Sequence, residues 1–252
     1  MKSMRMLLLL LTALLFSPRT HADATLSARD ILNRVDDLYR GRSAHGTMTM
    51  KVINPHYQRE LTMEFWSQGT NKSLIRILQP KKERRTSTLK DGNNIWNYLP
   101  KVDRTIKIPS SMMGGSWMGS DFTNDDLVKE HRMAVDYDSR FTSSPTTPKD
   151  VIEITCTPKP NAPVVWGKVV VRVRRADLVA LTITYYKENG AEARRLTFSD
   201  VREVDGRKLP MPMTMTMIPA DKPGHSTVVK YKELKFDVSL PADLFTVANL
   251  RD

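Results

Sequence analysis

Residues 211–218 read MPMTMTMI. Met211, Met213, Met215 and Met217 recur at spacing two, separated by Pro212, Thr214 and Thr216. A period of two belongs to a β-strand, whose successive side chains point to opposite faces, so all four methionines share one face. Pro210 and Pro212 cannot donate to a ladder, which pushes the start of this strand toward a sheet edge. Met specifies a rigid core poorly, because its three rotatable bonds leave shape open. It suits a wall that must fit variable chains. The stretch therefore reads as an ordinary Met-rich core or as the wall of an apolar cavity.

The alternation continues outward. Met48, Met50 and Val52 share a face in Thr47–Val52. Leu61, Met63 and Phe65 share one in Arg59–Phe65, opposite Glu60, Thr62 and Glu64. Ser73–Leu78 offers Ile75 and Ile77, and Asp91-Gly92 marks a turn before a strand at Asn94–Leu99 that carries Trp96. Arg104–Ile108, Val151–Thr155, Val169–Val173, Leu181–Tyr185, Arg195–Phe198 and Val228–Val238 complete the strands. Two helices are expected. One begins at Ser27 as N-cap with Asp30 at the capping-box position, presents Ile31, Val35 and Leu38, and ends at Gly41. The other spans Asn124–His131, with Asp125 and Asp126 near its positive end. The proline-rich segments 143–149 and 158–163 are too short to be domain linkers. Many strands on short turns predict a mainly β, α+β fold, one domain over residues 23–252, built on an antiparallel sheet long enough to curl or close.

Residues 108–127, IPSSMMGGSWMGSDFTNDDL, fit neither period. Gly114, Gly115 and Gly119 oppose a stable helix, yet Met112, Met113, Trp117, Met118 and Phe122 supply five large apolar side chains. The segment reads as a loop that plugs the core, or as a flexible lid over an apolar ligand cavity.

Lys2 and Arg5, followed by the apolar run Leu7–Phe16 and Pro18, form an export signal over residues 1–22, with cleavage after Ala22 or Ala24. The expected location is the periplasm, as a soluble monomer. The single Cys156 stands within VIEITCTP, where it reads as a small buried residue. It rules out an internal disulfide and leaves no acylated cysteine after the signal. The formal charge is +11 for the whole chain, and about +8 once Lys2, Arg5 and Arg19 leave with the signal. A basic domain suits nucleic acid, an anionic lipid surface or an acidic protein, and export argues against nucleic acid. Lys81, Lys82, Arg84 and Arg85 are the densest basic cluster, which reads as a solvated strand face or turn before it reads as a dedicated site.

Enzyme chemistry finds little support. His45, His56, His131 and His225 show no metal-ligand spacing, and no nucleophile elbow, zinc motif, phosphate loop or dinucleotide fingerprint is present. Asp36-Asp37 and Asp125-Asp126 sit in helical contexts where adjacent residues do not face each other, and read as solvated or capping. No catalytic residue, cofactor or metal is expected.

Three segments carry a family resemblance. DGNNIWNYLP, Asp91 to Pro100, resembles the DG-x-x-[LI]-W-x-Y-x-P turn and strand of the outer-membrane lipoprotein-sorting proteins, the LolA/LolB-like superfamily. LPADLFTVANL, Leu240 to Leu250, resembles that family's closing segment, and SMMGGSWMGSDFTNDDL, Ser111 to Leu127, is similar to one subgroup of it. The resemblance implies a strongly curved antiparallel sheet forming an incomplete β-barrel, with helices as a lid over its concave side. It implies a carrier shielding acyl chains of a lipid or lipoprotein on the way to the outer membrane. It also implies an inner-membrane exporter as partner, of the permease or resistance-nodulation-division type. The expected cavity wall is Met48, Met50, Met63, Phe65, Ile75, Ile77, Trp96, Met213, Met215 and Met217. The expected lid is Met112, Met113, Trp117, Met118 and Phe122. A non-carrier accessory subunit docking on an exporter, and an enzyme acting on envelope lipid, are the competing readings.

Overall fold

A computed structural model describes residues 26–38, 41–129, 133–205 and 210–251; the expected export signal and both expected cleavage positions lie outside the described residues. The chain begins with α1 (Ala28–Leu38), capped as its sequence dictates. Asp30 N donates to Ser27 Oγ at 3.2 Å and Ser27 N donates back to Asp30 Oδ2 at 3.0 Å. These bonds hold the Asp30 carboxyl below its usual range.

Six strands follow: β1 (Ser43–Ile53), β2 (Gln58–Gln68), β3 (Lys72–Gln79), β4 (Ser87–Asp91), β5 (Asn94–Leu99) and β6 (Arg104–Lys107). Seven more come after two short helices, α2 (Asn124–Lys129) and α3 (Met133–Asp136). They are β7 (Tyr137–Thr142), β8 (Val151–Pro158), β9 (Lys168–Arg174), β10 (Ala180–Tyr186), β11 (Glu192–Arg202), β12 (Met211–Pro219) and β13 (Ser226–Phe236). Each strand pairs with its chain neighbour, except that β6 and β7 do not meet. The two meanders are joined by β1 against β13, giving the order β6-β5-β4-β3-β2-β1-β13-β12-β11-β10-β9-β8-β7. Every pairing is antiparallel, and the sheet stays open, an incomplete barrel.

This topology leaves β6 and β7 as the two edges although they are consecutive in the chain. Residues 108–136 must therefore cross from one edge of the sheet to the other. The crossing holds the glycine-broken loop, as two 3-10 turns at Ser110–Met112 and Trp117–Gly119, together with α2 and α3.

Register fixes which side chains face the concave side. Met48 stands opposite Met63, Met50 opposite Leu61 and Phe65 opposite Ile75, while Met215 lies between Phe198 and Val229. On this face Ile31, Leu32 and Val35 of α1 pack on Ile154, Val169, Val171 and Val173, and the methionine cluster of β1 to β3 receives Trp117. The convex face carries a separate cluster. Leu74, Leu89 and Tyr98 are covered there by Phe245 and Leu250 of the C-terminal segment.

Two expectations are corrected. The Met211 strand is not an edge, since β12 lies between β11 and β13. Its proline is tolerated because the register to β13 runs only from Thr214 to Met217, so Pro212 is matched to β11 alone. Trp96 does not face the concavity. It shares the convex face with Leu89, its cross-strand partner, and packs with the Phe245 cluster, whereas its neighbour Ile95 points inward. A one-residue change of parity inverts a strand side chain. Cys156 is free and fully buried, and burial pushes its thiol up to about 12, as suits a small packing residue.

The β1–β13 pair depends on Gly46. A Cβ at this residue would overlap the Glu233 carbonyl oxygen and come within 3.0 Å of the Phe65 ring, next to the register shift at Thr47/Met48. Gly46→Ala should therefore lower stability by roughly 1–3 kcal/mol, as overpacking does, read as a fall in the urea midpoint with unchanged slope.

Candidate functional site

Between the concave sheet face and the crossing segment lies a cavity of about 280 Å³. Its apolar wall comes from Met48, Phe65, Ile75, Met211, Met215, Met217, Val229 and Tyr231 on one side, and from Ile183, Tyr185, Leu196 and Phe198 on the other. Trp117, Phe122 and Leu127 of the crossing close it over, with Met133 and Tyr137 at the α3 end and Val164, Val165 and Trp166 from the β8–β9 loop. Methionine thioethers and mixed aliphatic and aromatic groups make a surface that can repack around chains of different length.

Of the expected wall, Met48, Phe65, Ile75, Met215 and Met217 line the cavity. Met50, Met63 and Ile77 belong to the same cluster but are packed under Trp117, at most 1% exposed, and do not reach the space. Met213 is buried with Ala44, Leu234 and Phe236 beside it. Of the expected lid, Trp117 and Phe122 line the cavity, Met118 packs on the methionine cluster, Met113 is half-buried and Met112 is 57% exposed.

The crossing segment is tied down by hydrogen bonds along its length. Trp117 is 4% exposed and donates its indole N–H to Thr88 Oγ1 at 3.2 Å. Arg59 Nη1 donates to the Met118 carbonyl at 2.7 Å, and Asp121 N donates to Thr227 Oγ1 at 2.9 Å. Within the loop, Asn124 Nδ2 donates to the carbonyls of Met112 and Gly115. The tip turns through left-handed backbone at Met118 (φ 48°) and Gly119 (φ 71°), and the second position demands glycine's freedom.

Sequence reasoning missed the attachment of the lid helix to the far half of the sheet. Asp126 caps α2 with Thr123, as a helix N-terminus favours, and its carboxylate also receives both terminal nitrogens of Arg194 from β11. Arg194 is 5% exposed, and its guanidinium lies 4.6 Å from the ring centres of both Trp166 and Tyr185. Burial opposes its charge, but the bonds and charge of Asp126 outweigh this and raise it above its ordinary value. Nothing in the linear sequence links Asp126 to Arg194. Trp166, Leu196 and Phe198 were likewise not singled out, although the alternation of Leu196 and Phe198 is legible in the strand.

The wall also carries polar groups. Asp36, Asp125, Asp126 and Asp136 line it, Asp126 in the capping role expected for its pair, and so do Lys72 and Lys90 at the β2–β3 hairpin end. Lys90 is 5% exposed and donates to the Thr70 carbonyl at 2.8 Å. Burial, with Tyr185 and Asp136 nearby, raises Tyr137 far above the ordinary phenol range, so it stays protonated. Among the described residues no group of three or more His, Cys, Asp or Glu side chains could hold a metal ion.

The ion pair is testable. Asp126→Asn keeps the helix cap but leaves Arg194 buried without its counter-charge, and should cost roughly 3 kcal/mol in chemical denaturation. Adding Arg194→Met to that variant should recover part of the loss.

The geometry is that of known folds. A DUF1329 family protein from Desulfovibrio piger superposes with a TM-score of 0.78 at 22% identity, covering 88% of this chain and 97% of that one. A protein domain named for outer membrane lipoprotein sorting, from Vibrio parahaemolyticus, gives 0.77 at 23% identity, covering 89% and 98%. A LolA superfamily protein from Nitrosomonas europaea gives 0.73 at 20% identity, covering 89% and 100%. No curated protein matches the sequence. A family model described as "Uncharacterized protein" matches residues 69–252. The chain belongs to that family, and it shares its fold with these three structures.

Proposed function

We propose that this protein is a periplasmic carrier that shields acyl chains of a lipid or lipoprotein between an inner-membrane exporter and the outer membrane. The observation that carries this reading is the apolar cavity between the methionine face and the Trp117 crossing. Each acyl methylene withdrawn from water gains about 0.8 kcal/mol, so a free chain crosses an aqueous compartment slowly unless it is covered. A concave apolar wall provides that cover without specific polar contacts. Handover then needs only differential affinity among donor, carrier and acceptor, with no covalent chemistry and no catalytic residue. The outer-membrane lipoprotein-sorting name of the Vibrio parahaemolyticus domain agrees with this role. Residues 1–22 act as the export signal, leaving residues 23–252 as the monomeric, soluble working domain. Among the described residues no helix is long and apolar enough to cross a membrane.

One feature favours a second reading, an accessory subunit that docks on an exporter: Met112 stands 57% exposed at the start of the lid. Two measurements separate the readings. Native mass spectrometry of protein taken from its own periplasm, with organic extraction, should yield a co-purifying lipid or acylated protein; an empty protein would favour docking. Trp117→Ser with Met118→Ser should weaken capture of a fluorescent fatty acid about tenfold or more, equivalent to 1.4 kcal/mol. Unchanged capture with lost exporter crosslinking would again favour docking. Retention of the wild-type cooperative unfolding transition in the double variant controls for misfolding.

A further inference from the structure

We propose that one end of the sheet is a docking surface for an anionic lipid bilayer. Three turns open at this end: residues 54–57 between β1 and β2, 80–86 between β3 and β4, and 100–103 between β5 and β6. All three lie at the same end of the sheet in a stagger, with Ile53 opposite Gln58, Gln79 opposite Thr62, Ser87 opposite Arg76 and Tyr98, and Leu99 opposite Arg104, so that the first turn projects beyond the other two. They bring together Lys81, Lys82, Arg84, Arg85, Lys101 and Arg104, all exposed. The acidic residues of these turns are engaged. Glu83 binds Arg59, and Asp103 accepts a hydrogen bond from the Tyr98 hydroxyl at 3.1 Å. The basic cluster prominent in the sequence is thus extended by a second turn that is distant in the chain.

Large apolar groups project among these charges. Tyr57 is 54% exposed, Val102 59% and Leu99 38%. Apolar side chains on turn tips flanked by bases suit the headgroup region of a membrane. The bases neutralise lipid phosphates while the apolar tips enter the acyl boundary. An acidic protein would answer the charges but leaves the exposed apolar tips unexplained. The surface also adjoins the lid, since Arg59, just after the first turn, holds the Met118 carbonyl. Docking would set the lid tip beside the bilayer. This surface shares no residue with the cavity wall, so its test stands apart from the carrier reading.

The test is flotation of the purified protein with phosphatidylcholine vesicles and with mixed phosphatidylcholine–phosphatidylglycerol vesicles. Wild type and variants share one N-terminus, so any contribution from residues 1–25 cancels. The expected result is binding to the mixed vesicles that weakens with added salt. Lys81→Gln and Lys101→Gln should each reduce it about fivefold. Tyr57→Ser with Val102→Ser should weaken it while keeping its salt dependence. All of these variants should keep the cooperative urea unfolding transition of the wild type, which shows that they are folded. Equal binding to both vesicle types, or binding indifferent to the substitutions, would overturn the proposal. So would heparin binding that needs the bases but not Tyr57 and Val102, with no vesicle binding.

Discussion

The pairing of β1 with β13 is the constraint on which the rest depends. Each half of the chain is a meander of neighbouring strands, and neighbour-to-neighbour pairing alone would leave two separate curved sheets. Joining the first strand to the last makes one sheet of thirteen and forces the consecutive strands β6 and β7 to opposite edges. The chain must then return across the concave side, because connections run over a face and do not thread through a sheet. The cover over the cavity is thus a consequence of strand order, and the close contact at Gly46 supports the seam that imposes it.

Given that crossing, the composition of its two surfaces follows. A sheet face covered by a single loop and two short helices cannot be packed as densely as one covered by long helices. Where α1 does cover the sheet, the core is Val, Ile and Leu with a buried cysteine. Under the crossing Met48, Met50 and Met63 join Leu61, Ile75 and Ile77, with Trp117 inserted. The change of residue type along one continuous face marks the change from rigid core to adaptable wall. The cavity opens where the second packing gives out, between Met48, Met215 and the aromatic groups of the far half.

Much of this was legible in the sequence, for physical reasons that also explain the gaps. Strands with one dry face announce themselves by alternation, and Asn94–Leu99 and Met211–Ile218 were found nearly to the residue. β4 (STLKD) and β7 (YDSRFT) were not found. The first is buried along four of its five residues, Lys90 included, and the second is an edge strand with exposed Phe141, so neither alternates cleanly. Ser27 with Asp30 is a local signal and was readable as such. The Asp126–Arg194 pair joins residues 68 apart in sequence and leaves no local trace. Trp96 shows the limit of family likeness. Its motif identified the strand, but only register decides that a tryptophan beside Ile95 faces the convex side.

The crossing segment has two attachments of different kinds, and the difference orders how it can give way. At its tip, Trp117 is held by apolar contact and by a neutral hydrogen bond to Thr88 worth about 1 kcal/mol net, while Arg59 holds the Met118 carbonyl and Asp121 exchanges two bonds with Thr227 of β13. Toward the second half, α2 is held by a buried, doubly bonded ion pair between two aromatic rings, whose rupture strands a charge at a cost of several kcal/mol. The left-handed turn at Met118 and Gly119 lies in the first attachment, and Gly114 and Gly115 precede it. Opening by release of Trp117 with α2 left in place therefore keeps the buried charge of Arg194 paired, whereas lifting the whole crossing strands it. It would uncover the Met50–Met63 floor while the aromatic half of the cavity keeps its shape.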